Sequence, residues 1–357
     1  MKQLFQFWKN RDSAILVVLS LLFFGQGIHA ENLSFSIKGE VQHPGVWLLS
    51  DLKKLPVIPV RIQEYSKDAD YRGMCAYWGV PLQLVLEKAV IQKPPTAPFK
   101  HKSDMAICLA NRAGKEMALS WGEVFYQSNP THYLLAFRKS VVKPTAHPNV
   151  KPGSCKTCHT GKLVRKGKVL RPVLDDLLTG VKVLIIQNGK LVLSLENLKS
   201  IEIRSLNRIL PATVDRNHVF SNRVVVIKGK KKEHLMDLMK SQNAKTLKYK
   251  LPEIGSGCGY HGIFTFQGYR LEDIFDRELS TPDFWGLLVS APDGYRTFVS
   301  RNEIMGGLGR KALLAFSKDG SLLQSPEGKF MLILPNDLFF DRWIRAVNRI
   351  EILSNSR

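Results

Sequence analysis

The sequence contains little cysteine, five residues in 357, and this excludes a disulfide-rich scaffold at such a length. A chain of this size is long enough for two domains, each with a hydrophobic core large enough to fold unaided. Cys75 and Cys108 stand in apolar, strand-like runs and are predicted to belong to the core. Cys155 and Cys158 form the one pair with a chemically meaningful spacing.

Long apolar runs are also scarce. The run Ala14–Phe24 has 11 residues, too few to cross a bilayer comfortably, and no other stretch reaches spanning length. Basic residues precede this run and Ile28-His29-Ala30 follows it, which is the pattern of a secretory signal peptide over residues 1–30. We expect cleavage near Ala30 and a soluble protein that is periplasmic or secreted. An uncleaved N-terminal anchor is the alternative.

Acidic side chains are in deficit, with 31 Asp and Glu against 52 Lys and Arg, for a net charge of +21. Local basic runs occur at Lys162–Arg171 and Lys228–Lys232. Such a surface favours an acidic partner protein, here a redox partner, or peripheral contact with an anionic membrane surface. Export argues against nucleic acid. A solvated basic face without a dedicated partner is the alternative.

Short segments of the chain recur in the same order, and this pattern indicates an internal duplication. Strand-like and helix-like runs alternate in both copies, which predicts two α+β domains with mixed β-sheets. The predicted boundaries are 31–206 for the first domain, 207–221 for a linker and 222–357 for the second domain. The recurring pairs are Ser36–Gly39 with Val226–Gly229, Ser50–Lys54 with Met236–Lys240, Trp78–Leu86 with Gln267–Phe275, Leu134–Phe137 with Leu313–Phe316, and Ile201–Ile203 with Ile350–Ile352.

The first copy is longer than the second at one place. Phe137 and Ile201 are 64 positions apart, whereas their counterparts Phe316 and Ile350 are 34 apart. The first copy therefore contains an insertion of about 30 residues, placed at about 138–180. A segment that only one copy carries suggests an acquired function.

The insertion contains Cys155-Lys156-Thr157-Cys158-His159, which has the spacing of a c-type haem attachment site. Two thiols separated by two residues can bond to the two vinyl groups of one haem, while His159 binds the iron as axial ligand. A zinc site is a weaker interpretation, because adjacent Cys and His fit one tetrahedral ion poorly. A redox dithiol and a structural disulfide are further alternatives.

The sixth ligand of the haem iron stays open. His147 lies in the same insertion and is the first candidate. Methionine would give a higher reduction potential than a second histidine, and a vacant position would suggest ligand binding. The other candidates are His101, His132, Met105 and Met117.

The order of motifs in each copy resembles the molybdopterin-binding domain of the sulfite oxidase family. The second copy is similar from Val224 to Leu353, with Ser290–Tyr295 and Gly328–Pro335 as its most specific segments, and the first copy is similar from Ser34 to Leu206. The resemblance implies tandem sulfite oxidase-like domains and a molybdopterin cofactor.

In the enzymes of that family a cysteine thiolate binds molybdenum, and the resemblance makes Cys258 the candidate ligand. Cys258 stands ten residues before Gly268, whereas the counterpart in the first copy is near Ala69 and is not cysteine. The surrounding Gly255–Gly259 departs from the Cys-Ala-Gly-Asn-like signature of the enzymes. A free or structural cysteine is the alternative, so whether the chain is an enzyme stays open.

Three functions follow as hypotheses: an exported electron-transfer protein with one haem c, a molybdopterin-dependent oxidoreductase with the haem as electron relay, and a binding or sensing module. Two further segments contain residue types that occur in functional sites. Tyr260-His261 is predicted to be a surface loop or a site pair, and Trp121–Glu123 is predicted to begin a short helix that carries no catalytic carboxylate.

Overall fold

The computed structural model describes residues 33–65, 71–141, 176–206, 223–255, 257, 259–306 and 309–354. Residues 33–206 are called the first half here, and residues 223–354 the second half. In these ranges the chain is an α+β protein, rich in strands and with few, short helices. The described helices are all too short or too polar to cross a membrane.

The first half alternates strands with short helices. Its helices are α1 (Leu49–Leu52), α2 (Leu82–Ala89) and α3 (Trp121–Phe125), and 3-10 turns occupy Lys102–Asp104 and Pro130–His132. Its strands are β1 (Phe35–Gly39), β2 (Gly45–Trp47), β3 (Ile58–Tyr65), β4 (Tyr71–Pro81), β5 (Met105–Asn111), β6 (Glu116–Ser120), β7 (Tyr133–Val141), β8 (Asp176–Gln187), β9 (Lys190–Leu195) and β10 (Leu198–Ser205).

The second half begins with the same order of elements, two strands, a helix, two strands and a helix, and then differs by one additional helix and by the position of its 3-10 turn. Its helices are α4 (Leu235–Gln242), α5 (Leu271–Ile274), α6 (Asp276–Leu279) and α7 (Arg301–Ile304), and a 3-10 turn occupies Phe340–Arg342. Its strands are β11 (Val225–Lys228), β12 (Lys231–His234), β13 (Thr246–Gly255), β14 (Gly259–Arg270), β15 (Phe284–Ser290), β16 (Arg296–Ser300), β17 (Leu313–Lys318), β18 (Ser321–Leu322), β19 (Met331–Ile333) and β20 (Arg349–Ser354).

Each half contains a five-stranded mixed sheet of the same topology. The strand order is β2-β1-β10-β5-β6 in the first and β12-β11-β20-β15-β16 in the second. In both, the first strand pairs in parallel with the last strand of its half, and the remaining pairs are antiparallel. The segments Ile201–Ile203 and Ile350–Ile352, which match in sequence, therefore lie at the centre of their sheets.

A second layer packs on each mixed sheet. In the first half it is a closed barrel of β3, β4, β7, β8 and β9, which the sequence did not reveal. In the second half it is the sheet β13-β14-β17-β18, with β19 also paired to β17. Cys75 in β4 and Cys108 in β5 are buried, as predicted.

The recurring segments Trp78–Leu86 and Gln267–Phe275 share a motif in which a glycine, Gly79 or Gly268, stands three residues before a leucine, and a close approach of two strands explains this glycine. A Cβ at Gly79 would lie 2.3 Å from the carbonyl oxygen of Leu135, and a Cβ at Gly268 would lie 2.5 Å from that of Leu314. Both glycines stand at a register shift between paired strands, immediately before a helix. Each therefore leaves room for a β-bulge that turns the chain into the helix.

We expect Gly79→Ala and Gly268→Ala each to lower the free energy of unfolding by about 2 kcal/mol, because the added methyl group overlaps backbone that cannot move aside cheaply. Urea denaturation followed by tryptophan fluorescence measures this. Gly45→Ala is the matched control, since no atom lies within 4 Å of its Cβ position. Equal stability of all three variants would contradict this account of the motif.

The strand register locates the extra length of the first half. Ala136 pairs with Lys182, 46 positions further along, while Ala315 pairs with Met331, 16 positions further along. The difference of 30 positions falls in the connection from β7 to β8. Lys139 pairs with Asp176, so the two ends of the segment 142–175 leave neighbouring strands. An insertion between these two strands is therefore compatible with their hydrogen-bonded pairing in the barrel.

The two halves contact each other directly. Strand β6 lies against β16, and a small apolar cluster joins them. Cys108 and Ala118 of the first half pack there with Phe298 of the second half, and Trp285 covers the cluster. Polar side chains continue this contact on either side, and they define the sites described next.

Candidate functional site

A cleft of about 430 Å³ opens between the two halves. Its volume is in the range of small-molecule sites. The first half contributes His101, and the second half contributes the remaining side chains. These are Asp293, Tyr295, Met331, Phe340, Asp341, Trp343 and Arg345, together with the backbone of Gly257 and Ala291.

His101 is positioned by the turn that follows it. Its Nδ1 accepts a hydrogen bond of 3.2 Å from the backbone N–H of Ser103, which makes His101 the N-cap of the 3-10 turn. Burial lowers the pKa of the imidazole, so the ring is neutral at pH 7 with its proton on Nε2. The ring packs beside Tyr295 and Trp121.

Tyr295 and two carboxylates form the other wall. The Asp293 carboxylate accepts a hydrogen bond of 2.8 Å from the backbone N–H of Tyr295 and thus closes the Asp-Gly-Tyr turn. The Tyr295 hydroxyl donates to the backbone carbonyl of Asp341. Burial, with the nearby Asp341 charge, raises the pKa of Tyr295 to about 12, so the phenol stays protonated. Asp341 itself accepts a hydrogen bond of 3.1 Å from Tyr126.

A buried ion-pair cluster behind the cleft holds the His101 loop against the second half. Asp104 pairs with Lys93 of its own half and, at 2.7 Å, with Arg296 of the other half. The hydroxyl of Ser103 donates to the backbone carbonyl of Arg296 at 2.6 Å. Both cations also lie over the ring of Phe99. Lys93 and Arg296 therefore direct their positive charges at Asp104 and the ring of Phe99, which are groups of the protein itself.

The cleft combines aromatic walls with hydrogen-bonding groups. Its charged side chains are two carboxylates, Asp293 and Asp341, and one guanidinium, Arg345. With His101 neutral, the described lining carries a net negative charge. It suits a small polar or cationic molecule that stacks on an aromatic ring. The described residues contain no group of three or more His, Cys, Asp and Glu side chains arranged to hold a metal ion.

A second polar cluster lies deeper in the contact between the halves, and we call it the carboxylate cluster: Glu123, Glu303, Asp337 and Arg342. Glu123 and Glu303 each close the N-terminal capping box of a short helix, α3 and α7. Arg342 bonds to Asp337 at 2.6 and 2.8 Å and to Glu303 at 2.6 Å. Glu123 accepts from Ser300 of the other half at 2.9 Å. The cluster is structural, because its members are enclosed.

The residues predicted as the haem site lie outside the described residues: Cys155, Cys158, His159 and the sixth-ligand candidate His147. Cys258 also lies outside them, although its neighbour Gly257 lines the cleft. The residues 1–30 predicted as a signal peptide are likewise not described. These assignments stay predictions.

The structure places the other candidates as follows. His101 lies in the cleft, whereas His132 is in the 3-10 turn before β7, Met105 is in the core and Met117 is partly buried. Trp121–Glu123 begins a helix, as predicted, and the structure adds that Glu123 closes the capping box of this helix. Tyr260-His261 is at the surface but in strand β14, so the prediction of a loop was wrong; the ring of His261 packs on Phe340.

Sequence reasoning missed Asp341, Arg342 and Arg345. They stand in Phe339–Arg345, a segment between two strands of the second half that contains three aromatic and three charged residues. Such a segment signals a polar cluster among rings, because a loop this rich in Phe and Trp is buried and its charges need partners. The sequence points to Tyr295 only as the last residue of Ser290–Tyr295, the segment that resembles the sulfite oxidase family.

No protein-family profile matches the sequence, and no curated protein matches it. Among solved structures, the chain is similar to the sulfane dehydrogenase SoxCD from Paracoccus pantotrophus, with 9% sequence identity and a TM-score of 0.28. The superposition covers 91% of this chain and 78% of that one. A TM-score this low does not establish a common fold.

Proposed function

We propose that this chain is an exported electron-transfer protein that carries one covalently bound haem c on Cys155, Cys158 and His159. The observation that carries the proposal is the Cys-Lys-Thr-Cys-His sequence itself, which unites two thiols and an iron ligand at the spacing that haem attachment requires. The signal-peptide pattern of residues 1–30 supports it, because c-type haem is attached outside the bacterial cytoplasmic membrane.

The described structure supplies a scaffold for such a segment. The segment 142–175 connects neighbouring strands of a closed barrel, so its attachment points are held by strand pairing at Lys139 and Asp176. The matching sheet orders, the two bulge glycines and the paired capping boxes support an origin by duplication, in which only the first copy gained this segment. We further propose that both copies descend from a sulfite oxidase-like domain.

The proposed partner is an acidic redox protein. Removal of residues 1–30 takes away three positive charges and one negative charge, so the net charge falls from +21 to +19. This charge speeds the encounter with an acidic surface, and salt weakens such steering. The bound haem would supply an iron that takes up and releases one electron. What the protein contributes is the attachment by two thiols, the axial imidazole and a docking surface of suitable charge.

We expect the purified chain, made in cells that have the haem-attachment machinery, to show an intact mass increased by one haem that survives denaturation. Cys155→Ser with Cys158→Ser should lose all of this mass, because both thioether bonds are then absent. Cys75→Ser and Cys108→Ser are controls in which the haem mass persists. Loss of haem from the controls only, or retention by the double variant, would contradict the assignment.

The alternative, a molybdopterin-dependent oxidoreductase, does not fit the described part of the cleft. A pterin phosphate needs several free cations, but the described lining offers Arg345 alone against the carboxylates of Asp293 and Asp341. Lys93 and Arg296 nearby already pair with Asp104. We therefore propose no step through that cofactor, and molybdenum analysis of the protein tests this choice.

A further inference from the structure

A second cavity lies on another side of the contact between the halves, away from the cleft. It has a volume of about 490 Å³, again in the range of small-molecule sites. The first half contributes parts of β6 and β9, and the second half contributes parts of β15 and α7. A molecule bound here therefore touches both halves at once.

The walls of this cavity are mainly apolar. Val192, Leu193 and Met305 remain 42%, 37% and 48% exposed, although they are large hydrophobic side chains. These three side chains come from both halves and surround one concavity. They form an apolar patch whose exposure to water is unfavourable in free energy. The patch is too small for a stable protein–protein interface, which needs about 800 Å² on each partner. The other apolar lining residues are Met117, Leu195, Phe284 and Trp285.

The charged groups at the rim are mostly positive. Lys115 and Arg301 line the cavity, with Glu116 as the opposing charge. Arg301 donates hydrogen bonds to the backbone carbonyls of Leu279 and Thr281, and among the described residues no carboxylate bonds to it. Its positive charge is therefore not neutralised locally. A negatively charged group on an apolar molecule complements this rim.

We propose that this cavity binds a single-chain amphipathic anion, a molecule with an apolar body and one carboxylate, of which a medium-chain fatty acid is the simplest. The apolar body lies against Met117, Leu193, Trp285 and Met305, and the carboxylate lies at Lys115 and Arg301. The occupant touches both halves, so it stabilises the folded state by an amount that grows with the logarithm of its concentration above Kd.

Asn302 connects this cavity with the carboxylate cluster. It lines the cavity, and its side-chain amide donates to Glu123 and to the hydroxyl of Tyr133 at 3.3 Å each. Both acceptors belong to the first half, whereas Asn302 belongs to helix α7 of the second. An occupant that contacts Asn302 therefore touches a residue whose hydrogen bonds join the halves.

Calorimetric titration of the full chain with decanoate, below its micellar concentration, tests the proposal. We expect saturable binding of one molecule per chain, and weaker binding of the neutral 1-decanol by about tenfold, since a charge-assisted contact is lost. Met305→Glu should weaken decanoate binding by at least about tenfold, because it places a charge of the same sign as the ligand on the apolar wall. Leu322→Glu is the matched control, an exposed apolar residue on β18 that should bind as the wild type does.

Arg301→Gln separates the charge from the apolar wall. It should weaken decanoate binding by about tenfold and leave 1-decanol unchanged. If Arg301→Gln does not fold, as judged by circular dichroism, Lys115→Gln carries the same test at an exposed position. Absence of saturable decanoate binding, equal affinity for the alcohol, or unimpaired binding by Met305→Glu would each overturn the proposal. These results are independent of whether haem is attached.

Discussion

Arg342→Met is expected to lower the free energy of unfolding by about 3–5 kcal/mol at pH 7, the range measured when one partner of a buried ion pair is removed. Arg342 is fully buried and serves Asp337 and Glu303 together, so its loss leaves two enclosed carboxylates without a cation. It also removes one of the two donors to the hydroxyl of Ser120 in the other half, the Arg342 guanidinium at 2.9 Å, and leaves that hydroxyl with the backbone N–H of Glu123.

The fold makes room for this side chain. A Cβ at Gly122 would lie 1.8 Å from Nε of Arg342, so the helix of the first half carries glycine where the guanidinium of the second half passes. Arg345→Met is the matched control, since Arg345 is exposed and packs over the ring of Phe340 at 6.0 Å. Urea denaturation measures both variants. A loss below about 1 kcal/mol for Arg342→Met, or an equal loss for Arg345→Met, would contradict the central role of this residue.

The stability of the protein should fall as the pH rises from 5 to 8. Burial, followed by the charge of Glu303, raises the pKa of Glu123 to about 8, and burial raises the pKa of Asp337 to about 6. A carboxyl whose pKa is higher in the folded state binds its proton more tightly there. Its stabilising effect is complete below the unfolded pKa, about 4, and is lost as the pH rises through 6 and 8. Each group contributes up to about 1.4 kcal/mol per pH unit below its folded pKa, so the loss from Glu123 alone is on the order of 4 kcal/mol between pH 5 and 8.

Glu202 has the opposite effect on the pH dependence of stability, and it acts at lower pH. The hydrogen bond from Arg204 lowers the pKa of Glu202 to about 2, so its stabilising effect is present above about pH 4 and is lost as the pH falls through 2. Considered together, Glu123, Asp337 and Glu202 stabilise the folded state most at about pH 5.

Glu123→Gln should flatten the decline between pH 5 and 8, because the amide keeps the shape of the side chain but does not titrate. Glu233→Gln, at an exposed position on β12, is the control that should keep the wild-type slope. Unfolding curves at pH 5, 6, 7 and 8 show which holds. A wild-type stability that rises over this range, or a slope that Glu123→Gln leaves unchanged, would count against a protonated Glu123.

Periodic and local features of the fold were predictable from the sequence. The helix at Leu82 and the turn between β15 and β16 follow from local residue preferences, and both are present. The α+β class with mixed sheets followed from the alternation of such runs and is confirmed. The closed barrel of the first half was not predicted, because closure depends on the pairing of Gln63 with Lys190, far apart in sequence.

The candidate cleft was predictable only in part. Tyr295 belongs to a local turn motif. His101, by contrast, is held in the cleft by the ion pair between Asp104 of the first half and Arg296 of the second half. Hydrophobic periodicity and motif spacing carry no information on such contacts, since each partner alone reads as an ordinary surface charge. The mixture of aromatic and charged residues in Phe339–Arg345 is the sequence signal that points to such contacts between the halves.

The visible spectrum of the purified protein, oxidised and then reduced, with molybdenum analysis of the same sample, tests the proposed function most directly. A haem bound through two thioether bonds gives sharp absorption bands in the reduced state. The haem also stays with the protein during extraction by acid and organic solvent. The account predicts these bands at one haem per chain, with molybdenum absent. A spectrum without them, from cells that attach haem to a control cytochrome, or stoichiometric molybdenum, would contradict it.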